Sequence, residues 1–349
     1  MGEEVKSKDE EETWMVESKE WYLLSYAPHG VPTTDHLKLR TVCFSLSPQS
    51  IPHGHLAIET LLFSIDPYLR SRFTGNLDGL YFPQFQLNQV VTIFGIGRVK
   101  VSNDSRYKEG DLIMSASLLV AEYCIIPSRE IFGKIDPASG ISLPDYLSSL
   151  EVVGDPKPGS NVLISAASGG VGMIAGQLAK IRGCRVIGST GSDEKLRLIK
   201  EEFGYDDGFN YNKETDLDAV LTKLFPNGID FYLDNVGGKM LESVLNHVNK
   251  YARIPLCGMI SQYNQVWTER DGVRNLLNMV GKEVRMEGFL LKTHFNRFGD
   301  FAKEMEVHIK EGRVKSKIKI NTGIETFLDS LNSLFSASNI GKVLIQVKA

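Results

Sequence analysis

The chain reads as an α/β protein, a doubly wound parallel sheet preceded by a compact β unit. Three observations predict this. The stretch Val162-Leu163-Ile164-Ser165-Ala166-Ala167-Ser168-Gly169-Gly170-Val171-Gly172 passes from an apolar run into small residues and glycines. It continues into residues 173–181, where Val171, Ile174, Ala175, Leu178 and Ala179 recur at helical spacing. Beyond it strands and helices alternate, the pattern of a parallel sheet covered on both faces. Before it, from Trp14 to about Pro144, the pattern is short β runs separated by turn residues.

Residues 2–13, acidic and lysine-bearing, predict a disordered tail. The runs 56–63, 90–99 and 123–127 predict strands, with a turn at Lys108-Glu109-Gly110-Asp111. The breaker cluster Gly154-Asp155-Pro156-Lys157-Pro158-Gly159 marks the entry to the next domain. Strands are then expected at 161–165, 185–189, 229–234, 253–258 and 284–291. Helices are expected at 193–203, 240–248, 272–282 and 298–310. Pro255 cannot donate to a ladder, so its strand must be locally broken or near an edge. The last part, 315–320, 327–335 and 343–347, mixes β and α and can return to the first domain.

Strand, tight glycine turn and amphipathic helix together begin a dinucleotide-binding unit. Small residues let the backbone approach a pyrophosphate, and the first helical turn aims free N–H groups and a positive dipole end at it. The spacing is Ala166-x-x-Gly169-x-x-Gly172, with alanine in the first glycine's place; a plain helix-packing turn is the alternative. An NAD site wants an acidic residue about 20 positions on. Here Ser189-Thr190-Gly191-Ser192 offers none, and Asp193 and Glu194 fall where a cap and first turn belong. Lys195 can reach a 2′-phosphate, which favours NADPH; otherwise it is a solvated helix lysine.

With 349 residues the chain has room for two domains, and 42% hydrophobic and 23% charged residues are ordinary for a soluble enzyme. A net charge of −4 argues against nucleic acid or an anionic membrane as partner. No apolar run reaches transmembrane length, and the opening residues lack a secretory pattern, so a cytoplasmic location is expected. After Met1-Gly2 the myristoylation pattern fails at Lys6. Cys43, Cys124, Cys184 and Cys257 are far apart, which indicates neither a disulfide framework nor a zinc ribbon.

Several stretches carry a resemblance: Asp66-Pro67-Tyr68-Leu69-Arg70, the 165–172 turn, Gly191-Ser192-Asp193-Glu194-Lys195 and Asp207-Gly208-Phe209-Asn210-Tyr211. Phe225-Pro226-Asn227-Gly228-Ile229-Asp230, Asp234-Asn235-Val236-Gly237-Gly238-Lys239-Met240-Leu241 and Asn339-Ile340-Gly341-Lys342 extend it. The most specific is Cys257-Gly258-Met259-Ile260-Ser261-Gln262-Tyr263-Asn264. Over nearly the whole chain after Trp14 it resembles the zinc-independent medium-chain reductases. It is most similar to the plant NADPH-dependent 2-alkenal reductases and their leukotriene B4 dehydrogenase/prostaglandin reductase relatives. The resemblance implies a GroES-like β domain (14–153, completed by 313–349) with an inserted Rossmann domain (154–312), NADPH in the cleft between them, and a homodimer.

Residue by residue, it implies that Ala166, Ser168, Gly169, Gly170, Val171 and Gly172 line the pyrophosphate turn, and that Gly191, Lys195 and Tyr211 hold the 2′-phosphorylated adenosine end. It puts Asn235 and Cys257 along the cofactor cleft, Phe289 near the nicotinamide, and Asn339 reaching back from the tail. Pro67 and Tyr68 close the cofactor and substrate cleft, with Tyr68 and Tyr263 as the catalytic pair and Tyr263 hydrogen-bonding the substrate carbonyl. Without the resemblance Tyr68 reads as packing and Cys257 as a small buried hydrophobe. Pro255 replaces an ordinary apolar residue of the relatives. The relatives' helix before the breaker cluster is also mostly missing at Leu147–Gly154, which predicts a poorly held nicotinamide ring.

The implied reaction is hydride transfer from NADPH to the β-carbon of an enal or enone, with Tyr263 donating to the developing enolate oxygen. The rivals are an NADPH-binding paralogue without turnover, a quinone oxidoreductase, and a zinc alcohol dehydrogenase. The last would need Cys43, His53, His55 or Cys124 as ligands and a Gly-His-Glu motif, which does not occur.

Overall fold

The computed structural model describes residues 14–76, 82–137, 142, 156–290, 293, 298–336 and 338–348. The expected tail 2–13, the boundary at Gly154 and the shortened Leu147–Gly154 segment lie outside the described residues.

The first unit begins with the antiparallel pair β1 (Met15–Leu23) and β2 (Leu37–Ser45). It continues with β3 (His55–Ile65), β4 (Thr92–Ser102), β5 (Leu112–Leu119), β6 (Tyr123–Pro127) and β7 (Ile131–Ile135). The chain then enters the parallel region: β8 (Asn161–Ile164), α1 (Gly170–Ile181), β9 (Arg185–Thr190), α2 (Asp193–Glu201) and β10 (Asp207–Asn210). α3 (Leu217–Leu224), β11 (Ile229–Leu233), α4 (Gly238–His247), β12 (Val248–Leu256), α5 (Leu277–Gly281), β13 (Arg285–Gly288) and α6 (Phe298–Lys310) follow. The chain closes with β14 (Ile318–Thr322), α7 (Phe327–Ser333) and β15 (Lys342–Gln346).

The six-stranded sheet runs β10-β9-β8-β11-β12-β13, every pair parallel. The order reverses at β8 and β11, the crevice where such sheets take ligands at their carboxyl ends. Its central strands β8, β9 and β11 are buried on both faces, which is why they read as near-continuous apolar runs. Val162, Ile164, Val186 and Leu233 pack under Met173, Ile174 and Leu178 of α1. Leu163, Ile187 and Tyr232 face Leu221 of α3 and Leu241, Val244 and Leu245 of α4.

The second sheet runs β14-β15-β3-β4-β5-β7, with β6 also on β3. β15 pairs antiparallel with β3, Val343 opposite Ile65, so the end of the chain completes the sheet begun by its first half. Phe327, Leu331, Val343 and Ile345 share one core with Trp21, Phe63 and Phe73. The result is a GroES-like β unit with an inserted Rossmann sheet.

Several elements differ from expectation. The helix expected at 272–282 is confined to α5, because the Asn275 amide donates to the Glu242 carbonyl (2.6 Å) and to Asn246 Oδ1 (2.7 Å) and holds the approach irregular. The strand expected from 284 ends at Gly288. The tail strand expected at 315–320 is shifted to β14, and the helix expected at 240–248 starts two residues earlier and gives up Val248 to β12. Pro255 lies inside β12, one strand from the edge, where it pairs with Glu287 of β13 and its carbonyl accepts the Asp234 N–H (3.1 Å).

The glycine helix is packed tightly against its neighbour. A Cβ at Gly176 would lie 2.1 Å from the Tyr205 ring, whose hydroxyl donates to the Gly172 carbonyl (2.7 Å). Gly176→Ala is therefore expected to cost about 1–3 kcal/mol by overpacking. Urea unfolding checks this, and Tyr205→Leu in the same chain should recover most of the loss.

Candidate active site

The glycine turn joins β8 to α1. Ala166 sits at φ +50°, a left-handed conformation that favours glycine, and its carbonyl accepts the Gly169 N–H (2.9 Å). A Cβ at Gly172 would lie 2.4 Å from that carbonyl, so only glycine lets the helix start this close to the turn. No side chain caps α1, whose first rung beyond the turn runs from the Met173 N–H to the Gly169 carbonyl (2.9 Å). The N–H groups of Gly170, Val171 and Gly172 precede it, the donors a helix start leaves without intrahelical partners. This bare, close-packed terminus fits a pyrophosphate.

The end of the chain clips onto the same turn. The Gly341 N–H donates to the Ser168 carbonyl (3.0 Å), and Gly341 bridges Gly169. The Lys342 side chain crosses Gly170, where a Cβ would lie 3.0 Å from its Cδ, and its ammonium pairs with Asp66. Asp66 precedes the 3-10 segment Pro67–Phe73, so Pro67 and Tyr68 are drawn to the glycine turn, and Tyr68 stacks at a tilt on Phe82 (5.2 Å). Asn339, half-buried, lies two residues from this clip.

The predicted adenosine-end residues meet at the carboxyl ends of β9 and β10. Ser192 caps α2 by accepting the Lys195 N–H (3.2 Å). The Tyr211 N–H donates to the Thr190 carbonyl (3.0 Å), and the Asn212 amide to the Gly191 carbonyl (2.8 Å). Lys195 is only 6% exposed, so it is not a solvated helix lysine, and burial lowers its pKa. Burial likewise raises that of the Tyr211 phenol. Asp193, in the first turn of α2, accepts from Asn210 (2.9 Å) and pairs with Lys213.

Two loops at the carboxyl ends of β11 and β12 are laced together. The Asp234 carbonyl accepts the N–H groups of Cys257 (2.8 Å) and Gly258 (3.1 Å), and the Asn235 carbonyl that of Ile260 (3.1 Å). Ser165 Oγ accepts the Asn235 N–H (2.9 Å), and the Asn235 amide donates to the Ser165 carbonyl (2.7 Å), tying both loops to the glycine turn. The Tyr263 hydroxyl folds back over this support. It accepts the Met259 N–H (3.1 Å), and a Cβ at Gly258 would lie 3.0 Å from it. A phenol oxygen that accepts one N–H keeps its own proton as a donor. Phe289 follows β13 at the same rim of the sheet, half-buried, while the backbone of Cys257 is one of the rungs. Pro67, Tyr68, the glycine turn, Asn235, Cys257, Tyr263 and Asn339 are thus linked through hydrogen bonds, the Asp66–Lys342 pair or chain adjacency, and Gly191, Lys195 and Tyr211 form the far end.

Sequence reasoning missed Asp234 as the support of this rim. Its Oδ1 accepts from the Tyr232 hydroxyl (2.7 Å) and from the N–H groups of Val236 (2.9 Å) and Gly237 (2.8 Å), while Oδ2 has no partner among the described residues. The Asp-Asn-x-Gly spacing after a strand was the available signal, since it suits an aspartate turn. Among the described residues no three His, Cys, Asp or Glu side chains gather as a metal site.

Residues 170–307 match the family model described as zinc-binding dehydrogenase, and residues 19–133 the N-terminal domain of oxidoreductase. A 2-alkenal reductase (NADP(+)-dependent) of Nicotiana tabacum is 38% identical over 345 residues, 95% of this chain and 98% of that protein. The chain belongs to the medium-chain dehydrogenase/reductase family. The (+)-pulegone reductase of Mentha piperita is 35% identical to this reductase, covering 95% of the chain and 99% of that protein. The crystal structure of CurA in complex with NADPH from Vibrio vulnificus superposes with a TM-score of 0.84 at 28% identity, covering 95% and 99% of the two chains.

Asp234 gives a pH signature. Burial outweighs its hydrogen bonds and raises its pKa. The unfolded chain therefore releases this proton first, and the reductase loses stability as pH rises from about 4, the unfolded value, through the folded one. Asp234→Asn removes the titration and keeps an oxygen acceptor. Its melting temperature minus that of the wild type should grow more positive from about pH 4 to about pH 7; parallel curves would show that Asp234 titrates normally.

Proposed function

We propose that this chain uses NADPH to reduce the carbon–carbon double bond of α,β-unsaturated aldehydes and ketones. The observation that carries this is the Tyr263 hydroxyl, held on the rim of the parallel sheet by the backbone of Met259 and laced to the glycine turn through Asn235 and Ser165. Similarity to a 2-alkenal reductase and a pulegone reductase over nearly the whole chain supports the substrate class.

The bare start of α1 would hold the pyrophosphate, and Lys195 with Gly191 and Tyr211 the 2′-phosphate and adenosine. When bound, the cofactor supplies the hydride that adds to the substrate β-carbon. Negative charge then builds on the carbonyl oxygen as an enolate. Tyr263 donates to that oxygen, and Tyr68, drawn in by the Asp66–Lys342 pair, closes the other wall. The enolate carbon takes its proton from water or through Tyr263. No metal ligand set is required, since the carbonyl itself activates the double bond.

A cytoplasmic homodimer completes the reading. β13 is an edge strand, and beside it in sequence Leu277 and Val280 are 80% and 75% exposed, a large apolar exposure for a monomer. Val280→Asp should shift the species seen by light scattering from dimer to monomer; a monomeric wild type would remove this part of the reading.

NADPH oxidation with a panel of enals and enones tests the activity, beside a cofactor titration. Lys195→Ala should weaken NADPH binding by about 10- to 100-fold, the worth of a hydrogen bond to a charged group, and leave NADH nearly unchanged. Equal losses for both would refute the 2′-phosphate role. Tyr263→Phe should lower kcat on the order of ten- to a thousandfold with little change in NADPH affinity. Intact turnover would make the phenol a packing residue.

A further inference from the structure

The 3-10 segment Pro67–Phe73 is tied to the Rossmann sheet's surroundings at its start and at its middle. At its start Asp66 pairs with Lys342 beside the glycine turn. At its middle Arg70, fully buried, reaches the loop that carries Tyr263. Its Nε donates to Asn264 Oδ1 (2.9 Å) and to the Gly30 carbonyl (2.6 Å). The Gly30 N–H donates in turn to the Asn264 carbonyl (2.9 Å), closing a three-cornered bond between the first unit and the residue after Tyr263.

The chemistry of this arginine is uneconomical as a stabilising device. Nη1 and Nη2 are buried with no partner among the described residues, and burial lowers its pKa to about 10. Among the described residues no carboxylate accepts from it, and the bonds of one nitrogen are what offset the desolvation cost. What the arrangement does supply is registry. Tyr68 lies between the two ties, and Tyr263 is the immediate neighbour of one of them.

We propose that Arg70 is a positioning residue, fixing the Tyr263 loop against Tyr68 across the cleft through Asn264 and Gly30. This rests on the reading of Tyr263 as the enolate donor. A misplacement of about 1 Å at such a donor costs on the order of a hundredfold in rate, so a tie of this kind acts on kcat.

The test uses the full chain and four variants: Arg70→Met, Asn264→Leu, Asn264→Asp and the double variant Arg70→Met/Asn264→Leu. Backbone amide exchange is read without cofactor, NADPH affinity by titration, and kcat and KM with an enal. Arg70→Met and Asn264→Leu should each speed exchange at residues 259–265 and lower kcat about tenfold or more, with KM for NADPH and its affinity within about twofold. Melting should change little in Arg70→Met, because an apolar side chain of similar volume often replaces a buried charge at no cost. Asn264→Asp, which keeps the acceptor, should retain kcat, and the double variant should be no slower than either single one. Unchanged exchange in Arg70→Met overturns the proposal. So do an unchanged kcat there, losses that multiply in the double variant, or a failure of Asn264→Asp to hold kcat. Should the wild type reduce no enal, the Tyr263 reading fails, while the exchange arm still decides whether Arg70 holds the loop.

Discussion

The constraint on which the rest depends is the pairing of Lys342 with Asp66 across the glycine turn. One lysine stem lies against Gly170, its ammonium meets the carboxylate that opens the Pro67–Phe73 segment, and the neighbouring Gly341 bonds Ser168. The two side chains are mostly shielded from water, 11% and 25% exposed, so the pair works in a lower dielectric than the surface pairs around it. Through it, three distant stretches of chain meet at one helix terminus. The β unit cannot drift from the parallel sheet without breaking it.

The opposite wall is organised by Asp234 in a different way. There a carboxylate serves as a nucleus for backbone donors, and the loops after β11 and β12 follow one another in rungs up to Tyr263. A glycine at 237, with φ +70° and Met259 Cγ only 2.9 Å from where a Cβ would sit, lets the two loops approach. One wall is thus held by a charged pair between units and the other by a hydrogen-bonded stack within one unit. A substrate bound between them would meet two surfaces of different stiffness.

Much of this was legible in the sequence, and the reason is local. Parallel strands buried on both faces leave unbroken apolar runs such as Val162-Leu163-Ile164, and α1 leaves a 3.6-residue rhythm beside its glycines. The position of Ala166 as a stand-in for glycine was readable from spacing alone, and the structure gives it the left-handed backbone that place demands. Tyr263, Pro67 and Tyr68 were reached only through family likeness, since nothing in their own neighbourhoods distinguishes a donor from a packing tyrosine. Arg70, Asp234 and Lys342 were not legible as supports. Arg70 meets Asn264 across 194 positions and Lys342 meets Asp66 across 276, and no spacing rule spans such separations. The shortening of α5 was hidden for the same reason, because Glu242 and Asn246, on α4, decide it.

The place of β15 between β14 and β3 has a consequence for how the protein is made. β3 leaves the ribosome early, but its hydrogen-bonding edge toward β15 stays unfilled until Val343 and Ile345 emerge. At synthesis rates of about 5–20 residues per second, that edge waits on the order of tens of seconds. The parallel sheet has no such debt, for all six of its strands precede β14 in the chain. Synthesis therefore yields a finished nucleotide sheet attached to an open β unit, and the last strand closes the unit and clips the glycine turn in one event. A nascent chain is exposed to edge-to-edge pairing through β3 for all that time, and the order of its segments makes the cofactor site the last thing to exist.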